Sequence, residues 1–432
     1  MTLVCPQCFH DPGLARRIKE IRSQFPNSKC TFHPRFKGVP IGEVAAIVDQ
    51  VFRSNYRIGQ HSPHLGDQEG DELAFAVEDL VRADKEEIRD ALLKQLIEQD
   101  DYWPPDGGEA FYDETECYLR SELGNYHHSE LWRSFCESIL HRQRFFNSEA
   151  IELLSEIFRE IHLQRDNASE CPVYELVPRG PDSIFTRARI ATSEQEALNI
   201  RRNPSRELSS PPARKRRPGR MNSAGIATFY AAFGADTCVA ELRPAVGASV
   251  VTAEFELTRP IYVLDTTRFQ RPIKTMSLFA KDYIRRVQQW LFMQNFMREI
   301  SQPVSPADEY LDYIPTQAVA EYFRYHHEFK KGDGVARIEA IIYQSAQIDG
   351  GRNIVLLGDA AEVRPTNPSP ERKSRHAGVD DLLPTSMANF LQDRWSAPNA
   401  GLQIIEDSLK AYSVGSARYA IIEQVDADSL DF

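Results

Sequence analysis

The stretch GRMNSAGIATFYAAFGADTCVAELRPAVGASVV, residues 219–251, places a turn of small residues ahead of a strongly apolar run. The run includes Phe229 and Tyr230, is interrupted at Gly234, and ends where a second apolar, β-branched segment begins. Short β-rich segments separated by Gly, Pro and Asp are typical of strands joined by turns. This stretch therefore predicts a mixed α/β domain in the second half of the chain.

Other segments of the second half support that prediction. Five runs read as strands: SVVTAEFEL (249–257), IYVLDT (261–266), IIYQS (341–345), NIVLLG (353–358) and RYAIIEQV (418–425). Helices are expected over 279–300 and 315–329, and Pro315 suits the first turn of the second helix. The polar segment 364–378, RPTNPSPERKSRHAG, is typical of a linker.

The first half of the chain has a helical texture. Apolar residues recur at spacings of three and four over 71–100, which predicts one amphipathic helix, and the same pattern predicts helices over 129–146 and 148–164. The texture changes after Cys171–Pro172. The predicted fold class is therefore α+β, with a mainly α-helical domain over 1–168, a mixed α/β domain over 172–358, and a linker and C-terminal segment over 359–432 that packs on it.

Composition limits the function classes. The chain has 432 residues, 42% of them hydrophobic, and a formal net charge of −12. An acidic chain is not drawn electrostatically to nucleic acid or to anionic membrane, so we expect neither as a partner. There is no apolar run of bilayer length and no secretory signal at the N-terminus, which predicts a cytoplasmic protein.

Four residues near the N-terminus have the spacing of a metal site. Cys5 and Cys8 form a C-x2-C pair, and Cys30 and His33 repeat the same two-residue gap. Each pair can present two ligands from one tight turn, and two such turns complete a closed tetrahedral zinc site. With no open coordination position, such a Zn²⁺ would be structural. The alternative is four unrelated residues near a flexible terminus.

A basic segment precedes the opening stretch. Residues 201–220 contain one acidic residue, Glu207, and eight basic ones: Arg201, Arg202, Arg206, Arg214, Lys215, Arg216, Arg217 and Arg220. We expect a disordered loop that becomes ordered at its last basic residue. A phosphate-attracting lid is a second interpretation, and a nucleic-acid contact is weaker because no aromatic residues are interleaved.

Two histidine pairs, His127–His128 and His326–His327, lie in polar helical contexts. Both pairs are expected at the surface.

The stretch 219–251 resembles the core of RES domains, which are named for an arginine, a glutamate and a serine. The resemblance continues through PTQAVAEYF (315–323) and IIYQSAQIDGGRNIVLL (341–357), so it covers roughly 173–357. It implies a fold similar to ADP-ribosyltransferases and an activity on NAD⁺. The first half also resembles the helical, cysteine-containing extension of some long RES proteins, in which cysteine often stands where this chain has His33.

The resemblance also implies roles for particular residues. The family's arginine falls on Arg220, its tyrosine on Tyr230, its glutamate on Glu241 and its serine on Ser345, and Asn353 closes the last motif.

The chemistry of NAD⁺ is compatible with those residue types. Breaking its N-glycosidic bond builds up oxocarbenium character, so a site needs an anion binder, an aromatic surface and a carboxylate. The planar guanidinium of Arg220 suits phosphate oxygens, and Tyr230 can stack on nicotinamide. Glu241 lies in an apolar setting and would stabilise positive charge at the anomeric carbon. The alternatives are a core aromatic at Tyr230 and an ion pair between Glu241 and Arg243.

The remaining candidates are positioning and binding groups. Ser345 lacks a nearby base, so its hydroxyl is expected to position other groups rather than to act as a nucleophile. Asn222, Asn353, Arg187 and Arg189 are candidates for NAD⁺ binding, the two arginines at the pyrophosphate or adenosine end. Surface charge is an equal alternative for each arginine.

These expectations describe an NAD⁺-consuming enzyme, a toxin or defence effector, that releases nicotinamide by hydrolysis or phosphorolysis. ADP-ribose transfer to a protein or nucleic acid is an alternative, and a non-catalytic nucleotide-binding module is another. The resemblance implies a separate Xre-type antitoxin or other regulatory protein as a partner, and a homo-oligomer stays open. The helical half is expected to regulate, oligomerise or sense.

Overall fold

A computed structural model describes residues 2–61, 68–100, 110–301, 309–364 and 400–416. The chain divides into two compact units, Met1–Tyr126 with Lys274–Gln289, and His127–Ile273 with Trp290–Phe432. The first unit is mainly helical and the second contains a large mixed sheet, so the predicted α+β class is confirmed.

The elements of the first unit are short strands and four helices: β1 (Leu3–Val4), α1 (Pro12–Ile21), β2 (Val39–Pro40), α2 (Ile41–Asn55), β3 (Tyr56–Ile58), β4 (Asp71–Glu72), α3 (Leu73–Val81), α4 (Glu86–Glu98) and β5 (Cys117–Arg120). Helix α1 begins where Asp11 accepts hydrogen bonds from the amides of Gly13 and Leu14, and Pro12 occupies its first turn. The apolar faces of the helices meet in one core, in which Phe52 stacks on Tyr56 at 4.4 Å between ring centroids.

The second unit begins with helices and continues into the sheet. Its elements are α5 (Tyr126–Glu137), α6 (Ser148–Ile157), β6 (Val173–Leu176), β7 (Ile184–Ala191), α7 (Glu194–Arg202), α8 (Pro204–Glu207), β8 (Thr228–Ala232), α9 (Ala235–Glu241), β9 (Ser249–Leu257), β10 (Ile261–Asp265), α10 (Tyr283–Ser301), α11 (Glu309–Asp312), α12 (Ile314–Tyr325), β11 (Glu328–Lys331), β12 (Gly334–Gln344), β13 (Arg352–Leu357), β14 (Leu402–Ile404) and β15 (Lys410–Ser413). Helix α10 begins in residues that belong to the first unit.

The strand order of the sheet is β14-β9-β7-β8-β13-β12-β10-β6, with β11 paired to β12 and β15 to β9. The pair β10 and β12 is parallel, and the other described pairs are antiparallel. Strands β7 and β9 pair along eight residues, whereas in the described residues a single pair, Thr186 with Ala232, joins β7 to β8. The centre of the sheet is therefore loosely joined beside β8.

Register places three polar residues on one face of the sheet. Asn353 of β13 pairs with Tyr343 of β12 and with Ala232 of β8, while Val355 pairs with Tyr230. Directly paired residues share a face, as do residues two apart on a strand, so Tyr230, Asn353 and Tyr343 face the same side. The same face carries Ile341 and Val355, which pack against buried side chains of α6 and α12.

Several local predictions differ from the structure. The single helix expected over 71–100 is two helices, α3 and α4, because Arg82 adopts a left-handed backbone with φ 49°. The basic segment expected to be disordered includes the end of α7, all of α8 and a 3-10 turn at Ala213–Lys215. His128 and His327, expected at the surface, are 1% and 6% exposed. Hydrophobic periodicity does not show at which residue a helix ends. It also does not show which polar helix face is buried by a neighbouring helix.

The unit boundaries also differ from the predicted 1–168 and 172–358, because residues 127–168 cluster with the sheet through Phe135, Leu154 and Phe158. Of the predicted C-terminal segment, β14 and β15 pair with β9. The strand expected over 418–425 and nearly all of the linker 364–378 lie outside the described residues.

Candidate functional site

The turn at residues 219–222 is held by its own backbone and by a tyrosine. Gly219 and Asn222 exchange two backbone hydrogen bonds of 2.9 and 3.3 Å. The hydroxyl of Tyr230 accepts from the Met221 amide at 2.8 Å and donates to Asn222 Oδ1 at 2.9 Å. A Cβ at position 219 would lie 2.8 Å from that Oδ1 and 2.9 Å from the Tyr230 hydroxyl oxygen, so the turn requires glycine there.

The first turn of helix α12 anchors the same loop. Thr316 Oγ1 donates to the Arg220 carbonyl, and Gln317 Nε2 donates to the Gly219 carbonyl at 2.8 Å. The Arg220 guanidinium lies 5.3 Å from the ring centroid of Tyr313 and donates to the Glu299 carbonyl at 3.4 Å. The motif PTQAVAEYF, whose role was not apparent from sequence, thus fixes the position of Arg220.

A second group of residues surrounds Glu241, the last residue of α9. Ser345 Oγ donates to Glu241 Oε1 at 2.5 Å, and Asn353 Nδ2 donates to the same oxygen at 2.8 Å. Ser345 and Asn353 are buried. Within the described residues Oε2 has no hydrogen-bond partner, so one oxygen is held and the other is left for a ligand.

Ser345 is fully occupied as a hydrogen-bonding group. Its oxygen accepts from the amides of Gln347 and Ile348 at 3.1 and 3.2 Å, and its proton goes to Glu241. The Ser345 proton is thus committed to a carboxylate and its lone pairs to amides, so the positioning role expected from the sequence stays a prediction that these contacts allow.

Glu241 itself differs from expectation. The apolar setting of TCVAELRP predicted burial, but Glu241 and Leu242 are exposed, and the buried residues of this stretch are Thr237 and Cys238. Glu241 is the last residue of a seven-residue helix, and the helix therefore ends where the chain becomes exposed. No ion pair joins it to Arg243 in the described residues; Ser345 and Asn353 are its partners.

Tyr343 is a site residue that the sequence reasoning missed. Burial raises the pKa of its phenol, Tyr230 and Glu241 raise that pKa further, and Arg220 lowers it. Strand register places Tyr343 opposite Asn353, which binds Glu241, and on the same face as Tyr230. Tyr343 lies two residues before Ser345, near the end of strand β12, so the sequence offered a signal for it.

The other candidate binding residues have partners of their own. The guanidinium of Arg187 donates to the Tyr230 carbonyl at 3.2 Å and lies 4.4 Å from the ring centroid of Phe229; burial lowers the pKa of Arg187 to about 10. The guanidinium of Arg189 is paired with Glu196 at 2.9 Å and with Glu207 at 2.8 Å.

The amide of Asn222 is likewise engaged. It donates to the Arg217 and Ser223 carbonyls, and its oxygen accepts from Tyr230. The structure thus forms two groups, Tyr230 with the Arg220 turn and Ser345 and Asn353 with Glu241, and it places Tyr230 and Asn353 on one face of the sheet. Arg189 and Asn222 are used in local contacts.

Residues 189–375 match the family model described as RES domain. The chain contains a RES domain. The matched range includes both the Arg220 turn and the Glu241 group, and it begins two residues after Arg187. RES domains are NAD-related and toxin-associated, so the match supports an NAD-related activity at that general level. Neither the curated proteins nor the solved structures include a significant match to this chain.

Three thiols and one imidazole form a compact group in the first unit. The ligand atoms of Cys5, Cys8, Cys30 and His33 all lie within 4.8 Å of one another. Sulfur–sulfur distances of 3.9 Å (Cys5 to Cys8) and 3.5 Å (Cys8 to Cys30) are close to the ~3.8 Å edge of a tetrahedron with metal–sulfur bonds of about 2.3 Å. His33 Nδ1 lies 3.4 to 3.9 Å from the three sulfurs.

The surroundings of this group also fit a metal. The amides of Cys5 and His33 point at the sulfurs of Cys8 and Cys30, each at 3.3 Å. Burial raises the pKa of the Cys5 and Cys8 thiols, and Cys30 raises both further. Ionisation of three adjacent buried thiols requires a cation to compensate the charge, and the donor set of three sulfurs and one nitrogen suits Zn²⁺.

In the described parts of the chain, no helix combines the length and apolar character needed to cross a bilayer.

Proposed function

We propose that the RES domain consumes NAD⁺ by breaking the bond between nicotinamide and ribose. The observation that carries the proposal is the Glu241 carboxylate, which is fixed through Oε1 by Ser345 and Asn353. An oriented carboxylate and an anion-binding guanidinium in one domain match the charge distribution of NAD⁺. Its pyrophosphate is negative, and its ribose becomes positive as the bond breaks.

In this proposal each residue has a separate task. Arg220 binds the pyrophosphate through its planar fork, and Tyr230 and Tyr343 supply the aromatic surface for nicotinamide. Glu241 Oε2 contacts the ribose hydroxyls and stabilises the oxocarbenium-like transition state. The electron pair of the broken C–N bond leaves with nicotinamide, which becomes neutral, and water or phosphate takes the anomeric position. NAD⁺ depletion of this kind fits a toxin or defence effector.

The binding roles of Arg187 and Asn353 remain part of the proposal. Arg187 contacts the carbonyl of Tyr230 and would bind the pyrophosphate or adenosine end of NAD⁺. Arg189 would have to leave Glu196 and Glu207 to bind NAD⁺, and Asn222 would act by holding the turn.

The test is direct measurement of nicotinamide release from NAD⁺ by chromatography. We expect wild type to release nicotinamide and Glu241→Gln to lose at least about a hundredfold in rate, because the charge that stabilises the transition state is removed. Glu321→Gln is the matched control, since Glu321 is an exposed glutamate of α12. Free ADP-ribose indicates hydrolysis, ADP-ribose phosphate indicates phosphorolysis, and a shifted protein or nucleic-acid band indicates transfer. No release by wild type at high enzyme concentration would leave the domain as a binding module, whereas full activity in Glu241→Gln would overturn the role of Glu241.

We further propose that Cys5, Cys8, Cys30 and His33 hold a structural Zn²⁺. The distances and burial described above support it. Four protein ligands leave no position for substrate, so the metal would stabilise the fold and take no part in the reaction.

A further inference from the structure

The connection between α3 and α4 runs beside the proposed metal ligands. The Asp84 amide donates to the Cys8 carbonyl at 2.9 Å, and the His10 amide donates to the Arg82 carbonyl at 2.8 Å. Between these bonds Phe9 and Ala83 form an antiparallel bridge. The turn that follows Cys8 is therefore paired, backbone to backbone, with the residues at which the expected long helix breaks.

The carboxylate of Asp84 faces the ring of His33 on the side away from the sulfurs. Asp84 Oδ2 lies 3.4 Å from His33 Nε2, while Nδ1 of the same ring faces the three thiols. A neutral imidazole that gives Nδ1 to a metal carries its proton on Nε2, and that N–H needs an acceptor. The exposed fraction of the two side chains is 31% for Asp84 and 23% for His33, so the contact is partly shielded from water.

A second histidine approaches the same carboxylate. His10 Nε2 lies 3.5 Å from Asp84 Oδ1, but its side chain is 66% exposed and it has no place among the four candidate ligands. One carboxylate oxygen of Asp84 thus faces the candidate metal ligand His33, and the other faces the exposed ring of His10.

We propose that Asp84 is the outer-sphere partner of the metal site, and that it orients His33 for ligation while its amide ties the α3–α4 connection to the Cys8 turn. Metal binding then orders three segments that are distant in sequence: residues 5–10, 30–33 and 82–84. The proposal rests on the metal site and is independent of the NAD⁺ reaction. It also explains why the chain breaks a long amphipathic helix at Arg82, since an unbroken helix would carry Asp84 away from His33.

The test is the affinity of the full-length chain for Zn²⁺, measured by competition with a chromophoric chelator, and the spectrum of the Co²⁺ form. We expect Asp84→Asn to bind Zn²⁺ about 10- to 100-fold more weakly than wild type, since loss of an outer-sphere partner typically has that cost. Asp84→Glu should recover part of the affinity. Glu86→Gln removes the same charge from an exposed position two residues away and should stay within about twofold of wild type.

Hydrogen exchange separates orientation of a ligand from general loss of structure. Zn²⁺ should slow exchange at the amides of residues 82–85 in wild type and in Glu86→Gln, and do so less in Asp84→Asn. Equal affinities for Asp84→Asn and wild type, or equal losses in Asp84→Asn and Glu86→Gln, would overturn the role of Asp84. A wild-type chain that binds neither Zn²⁺ nor Co²⁺ would overturn the metal site with it, and nicotinamide release would still decide the proposed reaction separately.

Discussion

Hydrogen-bond capacity distinguishes the roles of single residues. The Ser345 hydroxyl donates its one proton to Glu241 and accepts two amides, and the Tyr230 hydroxyl donates to Asn222 and accepts from Met221. Both groups hold others in place. Glu241 keeps one oxygen without a described partner, so it is the member of the group that can act on a ligand.

Buried His327 provides a prediction about pH. Its Nδ1 lies 3.3 Å from the Tyr322 hydroxyl oxygen, burial lowers the pKa of His327 to about 4, and nearby His162 contributes to the lowering. Below the unfolded pKa of about 6.5, His327 is protonated in the unfolded chain but stays neutral in the folded chain. Folding stability therefore falls as pH drops from 6.5 towards 4. Between pH 7 and pH 5 wild type should lose about 2 kcal/mol more of its unfolding free energy than His327→Gln. Urea unfolding at the two pH values measures this, and equal losses in the two proteins would contradict it.

Two helices contact a candidate site through their ends. Helix α12 contributes its first turn to the site, because Thr316 and Gln317 hold the carbonyls of Arg220 and Gly219. Helix α3 ends at Arg82, whose left-handed backbone allows the chain to turn back beside Cys8. In each case the helix terminus, and not its apolar face, connects the element to a candidate site.

Arg82 is exposed and has φ 49°, a region in which a side chain is strained and glycine is not. Arg82→Gly should raise the unfolding free energy of the first unit by about 0.5–1 kcal/mol, because glycine is the preferred residue at a left-handed helix end. Arg82→Ala is the matched control and should give no gain, since alanine meets the same strain. Denaturant unfolding followed by helical circular dichroism measures both variants, and a gain shared by alanine would argue against a backbone cause.

The whole molecule combines two units that have different hydrophobic cores. The second unit contains most of the matched RES range and a ten-stranded sheet with large buried clusters. The first unit has a core of helices, to which the Cys5, Cys8 and Cys30 thiols contribute as buried members. A metal that binds those thiols would therefore act directly on the stability of that core.

Metal removal should destabilise the first unit. A strong chelator should lower the midpoint of its thermal transition by about 10 °C or more, since a structural metal supplies folding energy directly. Added Zn²⁺ should restore the transition and Mg²⁺ should not, because Mg²⁺ prefers oxygen ligands. Cys8→Ser should melt at the chelated temperature with or without Zn²⁺. Calorimetry provides the measurement, and a midpoint that does not change on chelation would count against the metal.

Prediction from sequence succeeded where a local pattern was sufficient. Strand β9 has the predicted bounds, β10 ends one residue early, and the RES domain was identified from the motifs around Arg220, Glu241 and Ser345. It failed where an outcome depended on a partner distant in sequence. The helix break at Arg82 depends on backbone pairing with residues 8–10. The burial of His327 depends on the helices packed around it, and the exposure of Glu241 depends on where a short helix ends.

The amino-acid sequence alone determined which chemistry is present: a guanidinium in a glycine turn, one glutamate, one serine, and four metal-ligand types at matching spacing. Covalent order and residue type are enough for that. Only the tertiary structure decided that Ser345 and Asn353 share one oxygen of Glu241, that Tyr343 pairs with Asn353 on the sheet face that carries Tyr230, and that Asp84 faces His33. Strand register and helix termini bring these side chains together, and both are fixed by packing and hydrogen bonding over the whole chain.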